Sequence, residues 1–112
     1  MRKYEIVFDS ANAENFPKKI TALVVEPDTK DANTGAMLFT HGWGNNRFQN
    51  LEQMEHAAER HNLVCVSAEY RLSGYDFDPI KGMGWARPYD FSLHQTFDVL
   101  NALRHVIDIM HV

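Results

Sequence analysis

The stretch Ala36-Met37-Leu38-Phe39-Thr40-His41-Gly42-Trp43-Gly44 decides the fold of this 112-residue chain. Its first five residues form a mostly apolar run, which predicts a strand over Ala36–Thr40 that is buried on both faces. The run ends at a turn with two glycines, whose lack of a Cβ atom lets the backbone approach a ligand closely. Because ligands of doubly wound sheets bind beyond the carboxyl ends of strands, we expect any functional site at this turn.

The elements on either side of this stretch alternate between strands and helices. Two β-rich runs precede it, and we expect them to pair antiparallel; a helix, a strand and a long helix follow it. The predicted strands are Tyr4–Phe8, Ile20–Val25, Ala36–Thr40 and Leu63–Ala68, the helices are Asn50–His61 and Leu93–Met110, and a long loop spans Arg71–Asp90. The order β-β-β-α-β-α predicts an α/β fold, with a mixed, mostly parallel sheet in one partial domain over residues 1–112.

Both predicted helices have apolar residues at helical spacing, and we expect these faces to pack against the sheet. In the first helix they are Leu51, Met54 and Ala58, and in the second they are Leu93, Phe97, Leu100, Leu103, Ile107 and Met110. Asn50 and Gln53 resemble a capping box at the start of the first helix, and Asn62 is its predicted stop.

Composition and charge exclude several classes of protein. Hydrophobic residues make up 45% of the chain and charged residues 23%, which is typical of a globular domain. The net charge is -4 and the basic residues are scattered, which argues against nucleic-acid binding. No apolar stretch approaches the roughly 20 residues that a membrane-spanning helix needs, and no signal peptide is recognisable. We expect a cytoplasmic protein that does not bind membranes.

The cysteine and the histidines predict neither a disulfide nor a metal site. The single cysteine, Cys65, lies in an apolar run and is interpreted as a small buried hydrophobic residue. His56 and His61 are five positions apart, so they do not share a helix face, and no His-Glu-x-x-His motif is present. We therefore expect no metal ion and no cofactor.

Two motifs give the chain a resemblance to a known family. His41-Gly42-Trp43-Gly44 follows a predicted buried strand, and Tyr70-Arg71-Leu72-Ser73-Gly74 follows the next one. This arrangement resembles the α/β-hydrolases, in particular their esterase and prolyl-oligopeptidase-like peptidase branches, over about residues 20 to 111. The resemblance implies a truncated α/β-hydrolase core. It also implies that the backbone amide of Trp43, with Gly44 as the neighbouring candidate, donates to the oxyanion of a tetrahedral intermediate. His41, Gly42 and Arg71 would have structural roles at the site.

The nucleophile that this resemblance implies is missing from the 112 residues. The family's Gly-x-Ser-x-Gly motif should follow the second helix, and none of Ser10, Ser67, Ser73 and Ser92 lies in such a motif. We interpret the chain as the N-terminal part of a serine hydrolase that cleaves ester or peptide bonds through an acyl-enzyme. The alternative is a non-catalytic truncated or split chain, which acts with a complementary half or as a binding module.

The long loop and the edge of the sheet suggest where substrates and partners would bind. Tyr75, Trp85, Arg87 and Tyr89 either shape a pocket for a small ester or peptide substrate or pack over the core, and the sequence leaves both open. In the family, the strand with the nucleophile flanks this strand. We therefore expect an unpaired apolar edge over Met37–Thr40, through which the chain self-associates or pairs with a complementing C-terminal half.

A further alternative is an unrelated α/β domain whose Gly42-Trp43-Gly44 turn binds a phosphate. The chain contains neither the Walker A motif nor the glycine spacing of dinucleotide-binding proteins, so this interpretation ranks last.

Overall fold

The computed structural model describes residues 1–9, 19–42, 46–69 and 93–110. Within these ranges the chain forms a small mixed α/β domain with four strands and two helices. The elements are β1 Arg2–Asp9, β2 Lys19–Glu26, β3 Gly35–Phe39, α1 Leu51–His61, β4 Leu63–Ala68 and α2 Leu93–Met110. The predicted order is confirmed, and every predicted end lies within two residues of the observed one.

The four described strands form one sheet in the order β1-β2-β4-β3. β1 pairs antiparallel with β2, as expected, and β2 pairs antiparallel with β4, whereas β3 pairs parallel with β4. A mixed sheet is thus confirmed, but the expectation of a mostly parallel one is wrong for these strands. The reason is connectivity, because a parallel pair needs a crossover, and here only the β3-α1-β4 unit supplies one between paired strands.

The two helices pack against opposite faces of the sheet. Successive residues of a strand point to opposite faces, and β4 divides accordingly between two clusters. Val64 and Val66 pack with Val99, Ala102 and Val106 of α2. Cys65 packs instead with residues of α1, namely Met54, Ala57 and Ala58. The core is therefore two apolar layers, one on each side of β2 and β4.

Cys65 is fully buried in the α1 layer, as the sequence predicted. Burial raises the pKa of its thiol to about 11, because the thiolate would lose its hydration there. The thiol is therefore protonated and unreactive near neutral pH.

β3 is more exposed than its sequence suggests. The prediction that this strand is buried on both faces is wrong, because β3 lies at the end of the strand order and pairs with β4 alone among the described strands. Met37, in its middle, keeps 44% of its surface exposed. Among the described strands, β3 therefore has one edge without a partner strand, and pairing at that edge stays a prediction.

The ends of α1 show one wrong prediction and one confirmed prediction. Asn50 makes no side-chain capping bond, so the predicted capping box is wrong; its side-chain amide donates instead to the carbonyl of Thr40 at 3.0 Å. Asn62 ends the helix in the left-handed conformation, with φ of 54°, which asparagine tolerates better than most residues. Its side-chain oxygen accepts a 2.9 Å hydrogen bond from the Thr34 hydroxyl. This bond connects the end of α1 to the loop before β3.

The bounds of α2 are as predicted, but its buried face is not. Val99, Ala102 and Val106 are buried against the sheet, whereas Leu100 and Ile107 are exposed. Phe97 is exposed as well. Short and β-branched side chains let the helix axis approach the sheet closely. Leu100 and Ile107, which the apolar spacing predicted to be buried, therefore form a second stripe beside the buried one.

Candidate active-site loop

The loop that follows β3 lies at the carboxyl ends of two parallel neighbours. Phe39 of β3 pairs with Ser67 of β4, so the chain leaves both strands at the same edge of the sheet. In α/β folds this edge is where ligands bind. The described part of the loop consists of residues 40–42 and 46–50.

His41 is buried in this loop, with 5% of its surface exposed. Its Nδ1 lies 3.0 Å from the carbonyl oxygen of Gly42. Because a carbonyl can only accept, Nδ1 must carry the hydrogen and donate it. Burial lowers the pKa of His41, against the opposing effects of the Gly42 carbonyl and of Glu69. The ring is therefore neutral at pH 7 and holds the backbone of its own loop, and its structural role at an active site stays a prediction.

The backbone amide of Gly42 already has a partner. It donates to the side-chain oxygen of Gln49 at 2.6 Å, so it is not available to a ligand in this conformation. A Cβ atom added at Gly42 would come no closer than 3.7 Å to that oxygen, which is an ordinary contact. As far as the described residues go, the space around Gly42 does not itself require a glycine.

Arg47 joins the loop to two strands of the sheet. Its guanidinium contacts the carboxylate of Glu69 at 2.7 Å, and its backbone N–H donates to the same carboxylate at 3.3 Å. Its Nε also donates to Glu5 of β1. Burial alone would lower the pKa of Arg47, but the two carboxylates raise it above its ordinary value. The side chains of Arg47 and Glu69 are 11% and 10% exposed, so solvent screens this pair weakly.

Sequence reasoning missed the residues that fix this loop. Gln49 and Asn50 hold the backbone of Gly42 and Thr40, and Arg47 and Glu69 anchor the loop to β4. The sequence did contain a signal that polar contacts fix this loop. Polar residues 45–47 separate an apolar strand from a helix, and Glu69 directly follows a buried strand. The sequence alone does not show which carboxylate pairs with which basic side chain, because that pairing depends on the strand order.

Most of the predicted site residues lie outside the described ranges. The structure describes His41 and Gly42 and brings them together through the hydrogen bond from Nδ1. The other predicted residues are not among the described residues: the proposed oxyanion donors Trp43 and Gly44, the structural residue Arg71, and the candidate pocket residues Tyr75, Trp85, Arg87 and Tyr89.

The described ranges contain neither a cluster of metal ligands nor a helix suited to a bilayer. No group of three or more His, Cys, Asp or Glu side chains is placed to hold a metal ion in residues 1–9, 19–42, 46–69 and 93–110. In the same ranges, neither α1 nor α2 combines the length and the apolar character that crossing a bilayer requires.

The fold matches that of a solved esterase. A carboxyl esterase from Bacillus coagulans, described as highly thermostable and solved in complex with glycerol, superimposes with a TM-score of 0.64 at 18% sequence identity. The match covers 99% of this chain. The chain has a hydrolase-like fold. At this identity the similarity concerns the fold alone, and the chain spans 33% of the esterase's length.

Comparisons of sequence add no family. No protein-family model matches the chain, and no curated protein sequence matches it. The hydrolase-like fold is therefore recognised from the arrangement of its strands and helices alone.

Proposed function

We propose that the chain is the oxyanion-hole part of a serine hydrolase of the esterase type. The observation that supports this most is the superposition of almost the whole chain on a carboxyl esterase. The glycine-containing loop after β3 supports it too, because it lies at the edge of the sheet where such sites are built.

In the proposed reaction, a serine from polypeptide outside residues 1–112 attacks the carbonyl carbon of an ester or peptide. The carbonyl oxygen becomes an oxyanion, and the backbone amides of Trp43 and Gly44 donate hydrogen bonds to it. A base of the same outside polypeptide takes the serine proton and gives it to the alcohol or amine as the intermediate collapses, and water then releases the acid from the acyl-enzyme. Tyr75, Trp85, Arg87 and Tyr89 would contact the substrate.

The polar contacts of the described loop fit this role. An oxyanion hole must be rigid before charge develops, because reorganisation during the reaction reduces its benefit. Hydrogen bonds from Asn50 to Thr40 and from Gly42 to Gln49 fix the backbone just before the proposed donors. The contacts of Arg47 with Glu69 fix it just after them. We infer that this loop is preorganised by its own side chains.

Removing the Trp43 amide tests the proposal. In the complete product of the reading frame that includes residues 1–112, Trp43→Pro deletes the N–H, whereas Trp43→Phe keeps it and serves as the matched control. We expect Trp43→Pro to lower kcat on a p-nitrophenyl ester by about 100- to 1,000-fold. Trp43→Phe should stay within about tenfold of the parent. A folded Trp43→Pro protein with parental kcat would contradict the oxyanion role.

A second candidate function is a non-catalytic chain that acts with a complementary half or as a binding module. It is favoured by the absence of Gly-x-Ser-x-Gly from residues 1–112. The isolated 112-residue chain should then show no turnover of a p-nitrophenyl ester and no labelling by a fluorophosphonate. Turnover that a fluorophosphonate abolishes would contradict this candidate.

A further inference from the structure

Two histidines of α1 bring their rings together. His56 and His61 are five positions apart, so their Cα atoms lie about 140° from each other around the helix. Their rings nevertheless meet, with centroids 5.5 Å apart and planes tilted by 59°. Side chains of a helix lean toward its N-terminus, and His61 is the last residue of α1, so its ring lies back over the turn before it, toward His56. The spacing predicted that the two residues do not share a helix face, and it did not predict this contact.

The two rings are accessible to a ligand. His56 and His61 are both exposed, and neither ring makes a hydrogen bond or an ion pair with the described part of the chain. A neutral imidazole has one nitrogen that is free to bind a metal ion, and it suits zinc, copper and nickel. The ring contact therefore places two metal-binding groups side by side.

The distance between the rings fits a shared ion. Two imidazoles that bind one tetrahedral zinc ion, with Zn–N of about 2.1 Å, have ring centroids roughly 5 Å apart. The observed separation is 5.5 Å, so a small rotation of two exposed side chains brings both rings to one ion. The backbone of α1 does not have to move.

The charge of α1 favours a cation at this position. The helix has three glutamates and one arginine, a net charge of -2 when its histidines are neutral. Lys3 of β1 offsets one of the glutamates, Glu55, at 3.6 Å, which leaves the helix acidic. The C-terminal end of a helix also has a partial negative charge, and His61 lies at that end.

We propose that His56 and His61 bind one divalent transition-metal ion, at what we call the α1 histidine site. Imidazole nitrogens select Cu²⁺, Ni²⁺ or Zn²⁺, of which Cu²⁺ binds most tightly, over Mg²⁺ and Ca²⁺, which prefer oxygen ligands. In residues 1–9, 19–42, 46–69 and 93–110 no third His, Cys, Asp or Glu side chain completes the set, so water occupies the remaining positions.

The α1 histidine site is separate from the candidate active-site loop. The loop joins α1 at Leu51, and His61 lies about 15 Å farther along the helix axis. The proposed metal site does not depend on esterase activity, so its failure would leave the proposed function standing.

Isothermal titration calorimetry with NiCl₂ on the untagged 112-residue chain tests the site. We expect one Ni²⁺ per chain, with His56→Gln and His61→Gln each weakening binding at least tenfold and MgCl₂ giving no binding heat. His105→Gln is the matched control, because this histidine is on α2 and its ring lies against Phe8. Absence of Ni²⁺ binding, or binding that His105→Gln weakens and the two α1 variants do not, would overturn the proposal.

Nuclear magnetic resonance gives a second test that does not depend on variants. Cu²⁺ is paramagnetic and broadens the signals of the rings that bind it. At less than one equivalent of Cu²⁺, the ring signals of His56 and His61 should broaden together while those of His105 stay sharp. Broadening of one α1 ring without the other would overturn the shared site.

Discussion

The two edges of the sheet are built differently. β1 has eight residues, and four of them are charged. One of these, Arg2, forms an ion pair with the buried Glu26 of β2 at 2.8 Å. β3 has five residues and no charge. An edge strand with charged side chains resists pairing with other chains, whereas a neutral apolar one invites it. The comparison predicts that β1 resists pairing with another strand and that β3 permits it.

Arg47 connects the loop after β3 to the β1 edge and to the end of β4. It contacts Glu5 of β1 and Glu69, which follows β4. Removing it should give the largest loss of stability. Arg47→Ala leaves Glu69 as a nearly buried carboxylate without its main partner, and we expect a loss of about 3 kcal/mol in the free energy of unfolding. Urea unfolding measures this loss. The double variant Arg47→Ala/Glu69→Ala should lose less than the sum of the two single variants, and simple additivity would contradict the pairing.

A smaller loss is expected at the β1 boundary. Glu26 is buried and accepts hydrogen bonds from Tyr4 and Lys30, both at 3.1 Å. Glu26→Gln keeps the shape but removes the charge, and should cost about 1–2 kcal/mol in urea unfolding. The charge of Arg2 is mostly exposed, which limits the cost.

The titration of Tyr4 tests the contribution of the Glu26 charge separately from its effect on stability. Burial, and then the charge and hydrogen bond of Glu26, raise the pKa of Tyr4 to about 12. In Glu26→Gln this pKa should fall only part of the way toward 10.0, because burial is the largest cause and remains. Ultraviolet absorbance of tyrosinate measures it, in a background where the other tyrosines are replaced by phenylalanine. An unchanged pKa would contradict the role of Glu26.

On the β3 side, His41 predicts an effect confined to acid pH. Its pKa in the folded chain lies below the ordinary value of 6.5, so between these two values the unfolded chain binds a proton that the folded chain does not. The neutral ring thus contributes stability above pH 6.5, and this contribution is lost as the pH falls below it. His41→Gln should flatten the dependence of unfolding free energy on pH between 5 and 7, roughly the range in which histidine titrates. His56→Gln, on the exposed side of α1, is the control, and an equal flattening there would contradict the assignment.

The smallest effect on stability is expected at the two edges themselves. Val7 and Met37 are both exposed, so Val7→Lys and Met37→Lys should each change the free energy of unfolding by less than about 0.5 kcal/mol under monomeric conditions. Thermal unfolding in dilute solution measures this. A large loss in Met37→Lys alone would mean that β3 is part of the core rather than an accessible edge.

Much of the fold could be predicted from the sequence, because its elements have strong local signals. The apolar run before His41 and the turn after it locate β3 and the loop, and Asn62 marks the end of α1. The strand order depends on pairings between distant residues, so the extent of parallel pairing was predicted wrongly.

The buried face of α2 illustrates a second limit. Two apolar stripes run side by side along this helix, one through Val99, Ala102 and Val106 and one through Leu100 and Ile107. Periodicity identifies both, but only close packing against β4 selects the stripe with the smaller side chains. The polar contacts of the loop were missed for a related reason, since Glu5 and Glu69 meet Arg47 only after the sheet has formed.

Amide hydrogen exchange compares the two edges most directly. Mass spectrometry follows the peptides of β1 and β3 in the 112-residue chain at about 1 µM and about 100 µM. Our account predicts that amides within Gly35–Phe39 gain protection at the higher concentration, while those within Arg2–Asp9 do not change. Protection gained by β1, or no gain at β3, would contradict the prediction that the β3 edge accepts another strand.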